Sequence, residues 1–238
     1  MSVTPTEKRT IVVTGGGRGL GLAIVRKLLE SGDDVIACGR TTTADISILQ
    51  ESHGARVRFW EADFPEQSGD LMARIARHER IHALVNNAGV GIVGPHASIG
   101  TGDLRSLVDV NLLTPMMLSQ GAIRNFMRHR TTGAIVNVSS PATARNWRGY
   151  AAYAASKSGV ETFTRVLAKE VAPLGISVNC VAPGFIETRM TEGVEKKTSP
   201  FRGEPLAGSD VGDVVLSLLM DGSKITGQVI RVDAGDSL

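Results

Sequence analysis

Tyr153 and Lys157 stand four residues apart in Tyr-Ala-Ala-Ser-Lys, and Ser140 precedes Tyr153 by thirteen residues. On a helix, residues four apart share one face, so the phenol and the ammonium would lie side by side. A free phenol ionises near pH ~10 and is a poor acid-base group at neutrality. A neighbouring cation favours the phenolate, so the spacing predicts a Tyr153 with a depressed pKa, able to exchange a proton with an oxygen. A serine ahead of such a pair suits a hydrogen bond to the same oxygen. The alternatives are a turn-forming Ser140 and a surface contact between Tyr153 and Lys157.

Far upstream, Thr14-Gly15-Gly16-Gly17-Arg18-Gly19-Leu20-Gly21 follows an apolar run and opens a helix-like one. Glycines let backbone approach a pyrophosphate, and a helix N-terminus offers free N–H groups and a positive dipole end. Alone, the pattern also fits a glycine-rich turn. The second apolar run ends Ala37-Cys38-Gly39-Arg40-Thr41. Folds that hold NAD place Asp or Glu there for the ribose 2′-hydroxyl. Here the position is Gly39, followed by a guanidinium. Arg40, with Thr41 as a second donor and Arg18 within reach, would pair with a 2′-phosphate, so NADP(H) is the expected cofactor. Otherwise Arg40 is a solvated surface residue, and Arg18 a first-turn residue set unfavourably against the helix dipole. Together and in this order, the pieces describe a nicotinamide-dependent oxidoreductase that moves a hydride to or from a carbonyl.

Strand-like apolar runs cover 11–14, 35–38, 57–60, 83–85, 134–138, 176–181 and 228–232, and helical periodicity covers 20–29, 66–78, 104–129, 151–171 and 211–220. The alternation predicts an α/β fold of the Rossmann type: one domain over 1–238, doubly wound, with a mostly parallel seven-stranded sheet and helices on both faces. Polar, Gly- and Pro-rich residues 188–209 interrupt the alternation and read as a substrate lid.

The chain has 238 residues, 42% of them hydrophobic, enough for one sizeable core. A net charge of +2 argues against nucleic acid and against a polybasic membrane patch. No signal-peptide core or transmembrane run is visible, and Cys38 and Cys180 fall in apolar runs, as buried reduced thiols of a cytoplasmic protein do. The five histidines show no metal-ligand spacing, so no metal is expected.

The chain resembles the short-chain dehydrogenase/reductase family from Thr10 to about Gly235. Thr14–Gly21, Asp63, Asn86-Asn87-Ala88-Gly89, Asn111, Ser140, Tyr153 with Lys157, and Asn179 with Pro183-Gly184 occur in the family's order. The resemblance implies that Tyr153 exchanges the proton, Ser140 positions the reacting oxygen, and Lys157 holds the ribose hydroxyls. Asn111 would interrupt its helix and hold a water that links Lys157 to solvent. Asp63 would meet the adenine edge, with Phe64 in place of the usual aliphatic neighbour. Asn86, Asn87, Ala88 and Gly89 would pack by the adenosine. Pro183, Gly184, Ile186 and Thr188 would turn beneath the nicotinamide.

Tyr150, lacking a lysine four residues on, and Ser139, one residue nearer Tyr153, are the weaker candidates. Trp147 and Arg148 stand out as substrate-pocket residues. Within the family the chain looks most like the 3-oxoacyl-[acyl-carrier-protein] reductases, on Val181-Ala-Pro-Gly-Phe-Ile-Glu-Thr188 and Ile225-Thr-Gly-Gln-Val-Ile-Arg-Val-Asp233. Arg124, Arg128, His129 and Arg130 would meet an acidic carrier protein, or are solvated helix-end cations. Leu174 and Pro200-Phe-Arg-Gly-Glu-Pro205 depart from that branch. The substrate is thus a small carbonyl compound, free or carried on a carrier protein or CoA. The alternatives are an NAD-dependent dehydrogenase of small cyclic or polyol alcohols and a non-catalytic dinucleotide sensor. Long helices with apolar residues on more than one face imply a homotetramer or homodimer.

Overall fold

A computed structural model describes residues 8–186, 203, 206–220 and 222–237. Seven strands alternate with eight helices among these residues. They run β1 Thr10–Thr14, α1 Gly19–Glu30, β2 Asp34–Gly39, α2 Ala44–His53, β3 Val57–Glu61, α3 Ser68–Arg77, β4 Ala83–Asn86 and α4 Thr101–Val108. There follow α5 Thr114–His129, β5 Gly133–Val138, the short α6 Ala142–Arg145, α7 Ala151–Val171, β6 Ile176–Pro183, α8 Gly208–Leu218 and β7 Val229–Val232.

The strands form one parallel sheet in the order β3-β2-β1-β4-β5-β6-β7. Alternate side chains of one strand enter different cores. Ile11 and Val13 join α1, α2 and α8 on one face, while Val12 joins α3, α5 and α7 on the other. Burial on both faces is why the strands read as unbroken apolar runs. The strand order reverses between β1 and β4, so the carboxyl ends of Thr14 and Asn86 flank the crevice where such sheets take ligands.

The helix expected over 104–129 is two helices. A π-helical turn, Asp109–Leu113, joins α4 to α5. Pro115 has no N–H to give the carbonyl of Asn111. The chain widens instead, and the N–H of Thr114 reaches Asp109 O. Residues 208 and 209, assigned to the lid from sequence, begin α8; 188–202 and 204–205 lie outside the described residues. On the long helices, Phe126 and Val160 are buried in the core. The large apolar side chains these helices and the π turn expose are Val108, Leu113, Met127 and Val166. No described helix is long and apolar enough to cross a membrane. Cys38 and Cys180 are free and buried.

Candidate active site

Tyr153 and Lys157 lie one turn apart on α7 and face the end of β5. Lys157 is buried, and its Nζ donates to Val138 O at 2.9 Å. Burial destabilises the ammonium and lowers the Lys157 pKa to about 8. Ser140 sits two residues past β5. Its Oγ accepts the N–H of Ala142 at 3.2 Å, and it stands near enough to the Tyr153 phenol to favour the phenolate.

The electrostatics reverse one sequence expectation. Burial pushes the Tyr153 pKa up, the Ser140 hydrogen bond offsets part of the rise, and Tyr150 adds to it. Lys157, whose ammonium is turned to Val138 O, is not among the groups that shift it. Tyr153 is therefore a protonated phenol at neutral pH. That form donates, which suits protonation of an oxygen.

Asn111 lies in the π turn and is fully buried. Its Oδ1 accepts the Val90 N–H at 2.8 Å, and its Nδ2 donates to Val90 O at 2.9 Å and to Ser156 Oγ at 3.1 Å. Ser156 in turn donates to the carbonyl of Tyr153 at 2.7 Å. A Cβ on Gly89 would come within 3.1 Å of Asn111 Oδ1 and 3.4 Å of Lys157 Nζ. The structure thus brings Asn111, Ser140, Tyr153 and Lys157 to one place from three segments of chain.

The glycine turn lies beside them. Thr14 Oγ1 accepts the N–H groups of Asn87 and Ala88, both at 3.0 Å, and Asn87 Nδ2 donates to Thr14 O at 2.9 Å. These bonds tie β1 to β4 across the switch point. Gly15 has φ +65°, and a Cβ on Gly21 would lie 2.1 Å from Gly15 O, so neither tolerates a side chain. Gly17 is held by its carbonyl, which accepts from Thr43 Oγ1 at 2.8 Å.

Helix α1 starts at Gly19 with no side-chain cap from Arg18 and no acidic residue in its first turn. Its end is thus left for an anion, and the residues present fit a dinucleotide pyrophosphate. Arg18, Gly19, Arg40 and Thr41 are exposed around it, with Leu20 half-buried. Asp63 is also exposed and pairs with Arg40 at 4.0 Å, while Phe64 packs on the core. Asn86 is buried, its amide bonded to Asn137 Oδ1 at 2.9 Å.

Pro183 ends β6. Gly184 gives its N–H to Val232 O at 2.8 Å, with room for no Cβ against Asp233. Ile186 is buried, and Thr188 lies outside the described residues. Trp147 meets Tyr150 edge-on at 5.3 Å, and Tyr150 meets Tyr153 at 6.2 Å, so Trp147 reaches the site through an aromatic row. Arg148 is exposed. A cavity of about 530 Å³ lined by Asp70, Ala73, Arg74, Arg77 and His78 lies on α3 and holds none of these residues. Arg124, Arg128 and His129 bond to Met72, Arg77 O and His78 O, so the basic helix end packs against α3.

The family model for the short chain dehydrogenases matches residues 9–199, most of the chain. This chain belongs to the short-chain dehydrogenases. A curated relative, the 3-oxoacyl-[acyl-carrier-protein] reductase of Chlamydia pneumoniae, is 36% identical, and the alignment covers 99% of each chain. Among solved structures, one from Beutenbergia cavernae, assigned as an NAD(P)-dependent gluconate 5-dehydrogenase with NADP bound at low occupancy, matches with TM-score 0.88. It is 31% identical over 97% of both chains. An actinorhodin polyketide ketoreductase variant with NADPH matches with TM-score 0.83 and 29% identity, over 96% of this chain and 97% of that one. This short-chain dehydrogenase is accordingly a nicotinamide-dependent oxidoreductase.

Two site features escaped the sequence reading. Glu161 accepts two hydroxyls beside Ser140, and Ser156 links Asn111 to α7. The four-residue spacing from Lys157 to Glu161 was visible, but nothing local showed what Glu161 meets.

Proposed function

We propose that this short-chain dehydrogenase reduces a ketone to a secondary alcohol, using NADPH. The observation that carries the reading is the convergence of Ser140, Tyr153 and a buried Lys157 at the end of β5, with Asn111 tied through Ser156 to the carbonyl of Tyr153. A bound nicotinamide cofactor supplies the hydride to the carbonyl carbon. Ser140 holds the carbonyl oxygen, and Tyr153 gives it the phenolic proton as negative charge develops there. Lys157 binds the ribose hydroxyls. Asn111 shapes the end of the path by which Tyr153 regains its proton from solvent.

Gly39 and Arg40 support NADPH over NADH, because a carboxylate at the end of β2 would repel a 2′-phosphate and Arg40 would pair with it. Asp63, Phe64, Asn87, Ala88 and Gly89 suit the adenosine half, and Pro183, Gly184, Ile186 and Thr188 the nicotinamide half. Trp147, with Arg148, borders the substrate. Similarity to the carrier-protein reductase supports a 3-oxoacyl thioester as substrate. Two buried free thiols support a reducing, cytoplasmic setting.

A second reading, NAD-dependent oxidation of a cyclic or polyol alcohol, draws on the Asp63 carboxylate beside Arg40 and on the similarity to the gluconate 5-dehydrogenase. A screen of NADPH oxidation with 3-oxoacyl thioesters, cyclic ketones, quinones and sugars separates the two. The first reading predicts turnover of a 3-oxoacyl thioester with NADPH. Turnover confined to NAD and a polyol would overturn it.

A further inference from the structure

Tyr153 and Lys157 are the first two members of a longer stripe on α7. Glu161 follows Lys157 by one more turn, so the three side chains share one face. Together they face three successive residues at the end of β5, Val138 to Ser140. Lys157 Nζ donates to Val138 O at 2.9 Å. Glu161 Oε1 accepts the Ser139 hydroxyl at 2.8 Å. Tyr153 lies by the Ser140 hydroxyl, which offsets part of the rise in its pKa.

Glu161 also reaches Ser140 from its other side. Its Oε1 lies 2.8 Å from Thr143 Oγ1, and that hydroxyl lies 2.9 Å from Ser140 O. The single Thr143 proton is thus shared between Glu161 and the carbonyl of Ser140. One carboxylate oxygen braces the chain on both sides of Ser140. The Glu161 side chain is only 15% exposed, and the cation paired with it among the described residues, the half-exposed Arg165, holds its Nη1 4.0 Å from the other oxygen. Its inward oxygen therefore serves the two hydroxyls.

We propose that Glu161 is a positioning residue that fixes where the Ser140 hydroxyl points, and through it the reacting oxygen. This rests on the proposed role of Ser140. Glu161 touches neither Tyr153 nor Lys157 in the hydrogen bonds above, so it acts through residues 139–143. The effect should fall on turnover and not on cofactor affinity, because an interaction made to the developing oxyanion is lost while ground-state binding is kept.

The chain has two tyrosines, so the Tyr150→Phe protein carries Tyr153 alone. With 13C-labelled tyrosine, the ring resonance of that protein reports the Ser140 contact without any substrate. Glu161→Ala should shift the resonance in the same direction as Ser140→Ala does. With acetoacetyl-CoA and NADPH, Glu161→Ala should lower kcat about tenfold, leave the Kd of NADPH within about threefold, and cost nothing further in a Ser140→Ala background. Glu161→Gln keeps an acceptor oxygen and should restore most of the loss. Arg165→Ala should leave the resonance in place. If Glu161→Ala fails to fold, the Ser139→Ala/Thr143→Val protein removes both donors, keeps the carboxylate and should show the same shift and loss.

A resonance moved by Ser140→Ala but unmoved by Glu161→Ala would overturn the proposal, and so would losses in kcat that add across the two sites. If Ser140→Ala itself changed neither resonance nor kcat, the role of Ser140 would fall first, and this proposal with it.

Discussion

Gly39→Asp restores, at the end of β2, the carboxylate that NAD-binding sheets carry there. Sterically the change is mild. A Cβ at Gly39 would meet only Phe59 Cζ at 3.5 Å and Phe59 Cε2 at 3.9 Å, both ordinary contacts, and Gly39 is not among the positive-φ glycines. The strand keeps its pairing with β3, so stability should change by less than about 0.5 kcal/mol, as for a surface substitution. The electrostatic effect is larger. A carboxylate about 6 Å from a 2′-phosphate, at an effective dielectric of about 20, costs roughly 3 kcal/mol per unit charge. Exposure screens this to about 1.5–3 kcal/mol, or ten- to a hundredfold in affinity. Arg40 offsets little of the loss: its pair with Asp63 spans 4.0 Å between exposed side chains, a contact of the weak surface kind. The NADPH-to-NADH ratio of kcat/KM, measured with one ketone substrate, should fall at least tenfold. An unchanged ratio in a folded variant would show that the end of β2 does not meet the 2′ position.

Gly21→Ala gains about 1 kcal/mol of helix propensity but drives a Cβ to 2.1 Å from Gly15 O, and backbone cannot give way there. The melting temperature should drop, NADPH binding should weaken about tenfold or more by fluorescence titration, and wild-type values in both would refute the packing. Alkaline stability turns on buried groups. The thiols of Cys38 and Cys180 are pushed from 9.0 to about 12 by burial, so unfolded chains release those protons first and stability falls as pH rises above 9. Lys157, lowered from 10.5 to about 8, works oppositely from pH 8 to 10.5, so two thiols against one lysine leave a net loss of about 1.4 kcal/mol per pH unit between 9 and 10.5. Denaturant midpoints measured across that range should decline, and the double Cys→Ala protein should show a rise instead; a flat wild-type profile would contradict the burial account. Val108, Leu113 and Val166 on α4, the π turn and α7 should be covered by another copy in a homotetramer or homodimer, so light scattering should give an oligomer that Val166→Asp weakens, and a stable monomer at micromolar concentration would refute this.

The sheet was legible because both its faces are buried, which leaves unbroken apolar runs such as Ile11–Thr14. Tyr153 and Lys157 were legible because helical spacing alone puts them together. Helix α2 was missed. It buries only Ile46 and Leu49, so its periodicity is faint, although Thr43 caps its first turn at Ile46 N and Gly54 ends it at φ +59°. The break in the 104–129 helix was signalled by Pro115, whose missing N–H leaves the chain no regular way through. The direction of the Tyr153 shift was not legible. Spacing shows a neighbouring cation, whereas burial, and the commitment of Lys157 to Val138 O, emerge only when α7 packs on β5. Glu161 was hidden for the same reason, since its two partners come from the β5–α6 connection.

The central claim is that Tyr153 delivers the proton that accompanies hydride transfer. Single-turnover oxidation of bound NADPH by a ketone substrate, compared in wild type, Tyr153→Phe and Tyr150→Phe, tests it most directly. Tyr153→Phe removes the hydroxyl that gives its proton to the reacting oxygen. The account predicts a loss of about a thousandfold or more in that rate, an NADPH Kd within about threefold of wild type, and a mild effect of Tyr150→Phe. A Tyr153→Phe enzyme that kept a tenth or more of the wild-type rate, or a larger loss from Tyr150→Phe, would contradict it.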